Sequence, residues 1–354
     1  MSRFLNITAA DMQKFQQQPE YMTKPKLVQI YDINYTRFTP AKKIRYLFKE
    51  PSPSEYPLDL ESNYEVPIEL KHDTQTNLLH PLLHCYFGKD RNDRVHCKGD
   101  DGQRHENNPE MTDVYTRRGI LEKIMEFCYG KYNFCVLVSR YKGKIFMVEK
   151  PKDEDKFDEQ QHGHKHHRRI TQLTSIDISP ELCNRNDDNV FQIAIHEANL
   201  GKYNLHYVGR AQSIKITEEC RNDLNQLNKV EFISTKQVWS NMRDKSLKLL
   251  KYWLQTYLSN VRELYIAYKD TNAMVRDPIE CRKTCDIPKS CFWEPSVCIT
   301  FLNEFLTKVE EVTSNTDSWD TVFEFHFGAL NKQVVLITKS GNAFIPKEYI
   351  DYIQ

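Results

Sequence analysis

Short alternating apolar runs, interleaved with three amphipathic helical stretches, leave this chain few options other than a mixed β-sheet with helices on its faces. FCVLVSR and KIFMVEK, joined through YKGK, predict a β-hairpin. LHYVGRAQSIKI, KVEFIS, ELYIAYK, TVFEFHF and QVVLIT predict further strands, and residues 117–129, 241–258 and 296–313 predict helices. The fold class that follows is α+β, or mixed α/β, without internal repeats. In the helix over 241–258, Leu247, Leu250, Leu254, Tyr257 and Leu258 recur at helical spacing and form a stripe that faces a core. Lys248, Lys251 and Gln255 fall on a neighbouring face. That face is either solvated or set against the phosphates of a nucleic acid, which lysines meet as point charges.

Up to about residue 110 the text is polar and punctuated by proline, as in KEPSPSEYPLDLESNY, so residues 1–27 are expected to be a flexible N-terminus. Residues 28–354 are expected to form one domain, of which 28–110 is an arm wrapped on the rest. The block PKDEDKFDEQQHGHKHHRR over 151–169 offers no apolar face to bury and predicts a solvated insertion loop. A histidine metal site or a phosphate-seeking patch is the alternative for it.

With 49 basic and 49 acidic residues among 354, no global field draws the protein to polyanions, and any nucleic-acid site must be a local groove. The start has no basic stretch followed by an apolar run, and no window reaches the length of a membrane span, so the cytosol or nucleus is expected. The ten cysteines contain no CxxC pair. Cys281, Cys285, Cys291 and Cys298 cluster in sequence, but their spacing matches no zinc finger, and free thiols are the simpler reading. Walker loops, dinucleotide fingerprints and nucleophile arrangements are absent.

Several segments, in a constant order, carry a resemblance: IRYLF, PLDLESNY, YTRRGILEKI, SRYKGKIFMVE, KLLKYWLQTYL and FWEPSVCITFLNEFL. They are similar to the DXO family of decapping nucleases, which remove defective caps and degrade RNA from the 5′ end. The resemblance implies a bent mixed β-sheet core flanked by helices. It also implies a cleft in which acidic residues hold magnesium or manganese.

The family's first motif, an arginine before a glycine at a helix start, is matched by Arg118 and Gly119, and the resemblance makes Arg118 an RNA phosphate contact. At the second motif Ile178 stands where a glutamate is expected, with Asp177 or Glu181 as a displaced carboxylate. The third motif is a glycine followed by glutamate, an apolar residue and aspartate; here Gly209 is followed by Arg210, Ala211 and Gln212. The fourth, glutamate, an apolar residue and lysine, reads Glu231, Phe232 and Ile233. A later RNA-contacting glutamine is matched by Gln255.

Hard divalent cations require several oxygen ligands, and the one glutamate left in this alignment cannot supply them. Ile178, Arg210, Gln212, Glu231 and Ile233 are therefore expected to be a degenerate former metal site, with no catalytic residue and no metal cofactor. Arg118, Arg210 and Gln255, with Lys248 and Lys251, are the expected RNA contacts. The resemblance to a degenerate branch of the family further implies nuclear germline work on piRNA-cluster transcripts, with the heterochromatin protein Rhino and its linker Deadlock as partners, and no membrane. A residually active decapping exonuclease and a protein-only scaffold stay open beside an RNA-end binder.

Overall fold

The computed structural model describes residues 2–34, 37–41, 44–62, 79–88, 111–150, 158–177, 191–215, 229–340 and 343–353. Two curled mixed sheets, flanked by helices, make up the fold. The larger has ten strands in the order Ser2–Asn6, Gln333–Ser340, Val322–Gly328, Phe134–Tyr141, Lys144–Glu149, Thr112–Arg117, Tyr203–Arg210, Phe191–Leu200, Lys26–Asn34 and Arg37–Pro40. Thr112–Arg117 runs parallel to both of its neighbours, and the remaining pairs are antiparallel. In the smaller sheet the order is Leu58–Asp59, Met274–Val275, Val261–Lys269, Phe232–Trp239, Ser213–Ile214, Tyr46–Phe48 and Ser175–Asp177, with Glu280–Lys283 also pairing to Val261–Lys269.

One apolar cluster joins the two sheets. Val136, Val138, Phe325 and Phe327 of the larger sheet and Val238, Leu264 and Ile266 of the smaller share it with three helices, Arg118–Glu126, Lys245–Tyr257 and Pro295–Thr313. On the Lys245–Tyr257 helix, Leu250, Leu254 and Leu258 are buried as the helical spacing requires, but Leu247 and Tyr257 are only half-buried. Tyr252 and Trp253 are buried beside them, because this helix is covered on two sides and needs a wider apolar surface than a single stripe.

Three expectations from the sequence are corrected. The N-terminus, expected to be flexible, forms the edge strand Ser2–Asn6 and the helix Ala9–Gln17, which opens on a capping box between Thr8 and Asp11. Few apolar residues suffice there. Phe4 meets Phe325 with ring centroids 4.6 Å apart, and Phe15 is buried near Phe301. The arm over 28–110 does more than wrap: it supplies Lys26–Asn34 and Arg37–Pro40 to one sheet, Tyr46–Phe48 and Leu58–Asp59 to the other, and the helix Leu79–Phe87.

The histidine-rich block, expected as a loop, is largely helical over Asp158–Leu173. Among its described side chains, His166 and Ile170 are buried one turn apart, Leu173 is half-buried, and Ile170 packs with Ile233 and Ala267 of the smaller sheet. Glu61 accepts from Lys165 and pairs with His166, whose other ring nitrogen meets the buried Lys269. The anchoring groups come from distant segments, which is why local composition hid them.

Candidate nucleic-acid interface

The site is built where the chain leaves one sheet for the other. LHYVGRAQSIKI, expected as one strand, ends its first stretch at Arg210 and resumes at Ser213 in the smaller sheet. Arg210 is exposed, and Gln212 lies in the crossover, its Nε2 donating to the Arg210 carbonyl at 3.0 Å. A Cβ at position 209 would sit 3.0 Å from the guanidinium carbon of Arg118, so glycine is what lets that side chain lie against the backbone.

Arg118 opens its helix, and its planar fork is held by three partners. Nε donates to Glu122 Oε1 at 2.8 Å, and Nη1 donates to the Arg210 carbonyl at 3.2 Å and to Ser259 Oγ at 2.6 Å. Nη2 makes no hydrogen bond among the described residues. Glu122 also accepts from Gln255 Nε2 at 3.1 Å, so one carboxylate fixes two of the residues that the sequence assigned to RNA. Both members of the Arg118–Glu122 pair are nearly enclosed, with side-chain exposures of 11% and 8%, so this is an internal brace rather than a solvated surface pair.

Lys236 lies within electrostatic reach of Arg118, Glu122, Arg210 and Lys251, and its ammonium stands 5.8 Å from the Tyr252 ring centre. Its ammonium makes no ion pair and no hydrogen bond among the described residues. Burial first, and then the Arg118 cation, push its pKa down to about 7. Lys248 stands over the same ring at 5.2 Å and is pushed down by burial and by Lys251, while Glu126 opposes the shift. Lys251 is exposed. Arg118, Arg210, Gln255, Lys248 and Lys251 are thus brought into one neighbourhood, with Glu122 and Glu126 as its acids.

Glu231 and Ile233 are not part of it. Ile233 packs in a separate cluster with Phe48, Tyr265 and Ala267, on the outer face that the Asp158–Leu173 helix covers, and Thr235 of that face meets Thr174. Glu231 pairs with the exposed Arg262. The opposite face carries Phe232, which packs with Ile214 and with Ile30 and Ala194 of the larger sheet, and Val238, which joins the common core. Strand alternation therefore puts Ser234 and Lys236 between the sheets, where Arg118 and Arg210 lie. The sequence reading missed Lys236 and Glu122, whose signals were a lysine on that strand and an acid one turn after the helix-opening arginine.

Ile178 and Glu181 lie outside the described residues, and Asp177 ends a strand of the smaller sheet. The four clustered cysteines are all unpaired thiols: Cys281 and Cys285 are exposed, Cys291 is half-buried and Cys298 is buried. They form no group of three metal ligands among the described residues.

Two curled mixed sheets, joined by a crossover with the cations Arg118 and Arg210 beside it, define the class of fold. Residues 23–350 match the RAI1-like PD-(D/E)XK nuclease family, and the chain belongs to that family. It is 23% identical over 360 residues to the decapping nuclease RAI1 of Yarrowia lipolytica, covering 94% of this chain and 95% of that protein. To the protein cutoff of Drosophila melanogaster it is 38% identical over 82 residues, 23% of this chain and only 21% of that protein's length. The fold matches the crystal structure of Candida albicans Rai1 in complex with pU5 and Mn2+ at a TM-score of 0.67, with 13% identity, over 94% of this chain and 96% of that one.

Proposed function

We propose that this chain is a non-catalytic member of its family that binds RNA 5′ ends in the cleft and shields them without cutting. The observation that carries the proposal is the cluster of cations at the crossover, where Arg210 and Gln212 stand at positions for which the resemblance expects acids and Arg118 and Lys236 lie beside them. A divalent ion within about 4 Å of a guanidinium would be repelled by roughly 8 kcal/mol at an effective dielectric near 20, an upper-range figure since the side chain can swing away. Magnesium or manganese therefore does not fit this crossover. Phosphate oxygens do, through the free Nη2 donors of Arg118 and the Lys236 ammonium.

Incubating the protein with capped, 5′-triphosphate and 5′-monophosphate RNA, with Mn2+ or Mg2+, tests this directly. Binding without product is expected. Robust metal-dependent cleavage would revive the reading of a residual decapping exonuclease, and no binding to any of the three would leave a protein-only scaffold. The partial likeness to Cutoff extends the proposal to a nuclear adaptor for germline piRNA-cluster transcription, which suppresses transcript processing, splicing and termination with Rhino and Deadlock. No helix among the described residues is long and apolar enough to cross a membrane.

The buried lysine adds a pH signature. Lys236, with Arg118 and Glu122 of one helix, Arg210 of the crossover and Lys251 of another helix as its charged neighbours, gives up its proton near pH 7 in the free protein. A bound phosphate favours the charged form and raises that pKa, so RNA binding takes up a proton above neutrality. Affinity is thus greatest below pH 7 and falls as pH rises from 7, by up to about tenfold per unit. RNA titrations from pH 6 to 9 check this, and Lys236→Met is expected to flatten the profile.

A further inference from the structure

On the face of the larger sheet turned away from the common core, three side chains of different chemistry converge. Cys135 lies directly across from His326 in the antiparallel pairing of Phe134–Tyr141 with Val322–Gly328, and Glu324 precedes His326 by two residues on the same strand face. Their ligand atoms all lie within 4.8 Å of one another, and all three residues are half-buried. The sheet itself holds this arrangement, since Phe325 and Phe327, which alternate with the two ligands, are locked into the core on the other face. Cys135 and His326 line a hollow of about 390 Å³, together with Lys150, Asn133, Asn331 and Gln333.

We propose that Cys135, Glu324 and His326 form a divalent transition-metal site of the zinc class, separate from the RNA cleft, with a fourth coordination position open to the hollow. One thiolate, one imidazole and one carboxylate are a donor set that selects zinc over magnesium or calcium. His326 Nε2 and Glu324 Oε2 are 3.3 Å apart, the separation expected of two ligands held at about 2.0–2.1 Å on a tetrahedral ion. The Cys135 sulfur lies within 4.8 Å of both.

Two features oppose loading without preventing it. Burial holds the Cys135 thiol near 11, so an arriving ion must displace the thiol proton to solvent as the metal–sulfur bond forms. Lys150 Nζ sits 2.8 Å from Glu324 Oε2 and competes for that carboxylate, so an arriving ion must displace it; the lysine side chain is 45% exposed.

Cobalt(II) titration of the full chain tests the site. The expected result is tetrahedral ligand-field absorption with a thiolate-to-cobalt charge-transfer band, displaced by zinc and accompanied by proton release. Cys135→Ser should abolish the charge-transfer band. His326→Gln and Glu324→Gln, which keep the strand's shape, should each weaken cobalt binding by about 100-fold or more, since even the outer partners of metal ligands are worth 10–100-fold. Lys150→Ala should tighten it, and replacing Cys281, Cys285 and Cys291 together by serine should leave the band intact. A wild-type protein with no charge-transfer band, or a band that survives Cys135→Ser, would overturn the proposal.

Discussion

Removing the two arginines of the crossover is expected to lower RNA affinity by about 100-fold or more at low salt, since each charge-assisted contact to phosphate is worth about 1.5–3 kcal/mol. Arg118 cannot simply be truncated, because Glu122, nearly enclosed beside it, would keep a buried charge with only Gln255 as a partner. An uncompensated buried carboxylate of that kind costs about 3–5 kcal/mol and would confuse folding with binding. The variant is therefore Arg118→Ala with Glu122→Gln and Arg210→Ala, compared with Glu122→Gln alone. The decisive readout is the salt dependence: each lost phosphate contact should lower the slope of log affinity against log salt by about 0.7 for a single strand. An unchanged slope would remove the cleft from RNA binding, whatever happened to stability. Glu122→Gln alone should tighten binding, because it releases the Arg118 fork from its internal acid.

Placing acids at the crossover is expected to have the larger effect, creating a manganese affinity that the proposed function denies to the native chain. Arg210→Glu and Gln212→Asp reinstate the two carboxylates of the family's third motif, and together they change the local charge by about three units in favour of a cation. Ser234→Glu adds a third on the strand that already carries Lys236, recreating an acid, an intervening residue and a lysine on one face. Calorimetry with Mn2+ should detect binding in the triple variant and none in the native protein, and RNA cleavage should follow if the scaffold is otherwise intact. Because position 234 is buried, the double variant without it serves as the control for folding. The rival placement is tested alongside, by Arg210→Glu, Gln212→Asp and Ile233→Lys, which rebuilds the motif around Glu231. That variant is expected to fail, since Ile233 faces the outer cluster and a lysine there would be buried among Phe48, Tyr265 and Ala267. Manganese binding by this variant, and not by the one at Ser234, would reverse the assignment of faces.

These expectations rest on details of very different legibility. The strands around the central hairpin, the three long helices and the absence of a carboxylate at Arg210 and Gln212 could be read directly, because periodicity and residue identity are local properties of the text. The helix over Asp158–Leu173 could not, since its buried face depends on Glu61, Lys269 and Ile233, all far away in sequence. The edge strand Ser2–Asn6 was hidden for the same reason, as Phe4 is apolar in isolation but becomes structural only against Phe325.

The crossover shows the division most sharply. That position 210 carries a cation is determined by the sequence alone, and no arrangement of the backbone can turn a guanidinium into a metal ligand. Which face of Phe232–Trp239 meets that cation was decided only by the packing of two sheets, which turned Glu231 and Ile233 outward and Lys236 inward. A shift of one residue inverts every side chain of a strand, and the text of a short, wholly buried strand carries no alternation to fix it. The lowered pKa of Lys236 is likewise tertiary, since burial and the Arg118 cation act on it through space from a distant segment, whereas the bracing of Arg118 by Glu122 is an i,i+4 contact within one helix that the text does carry.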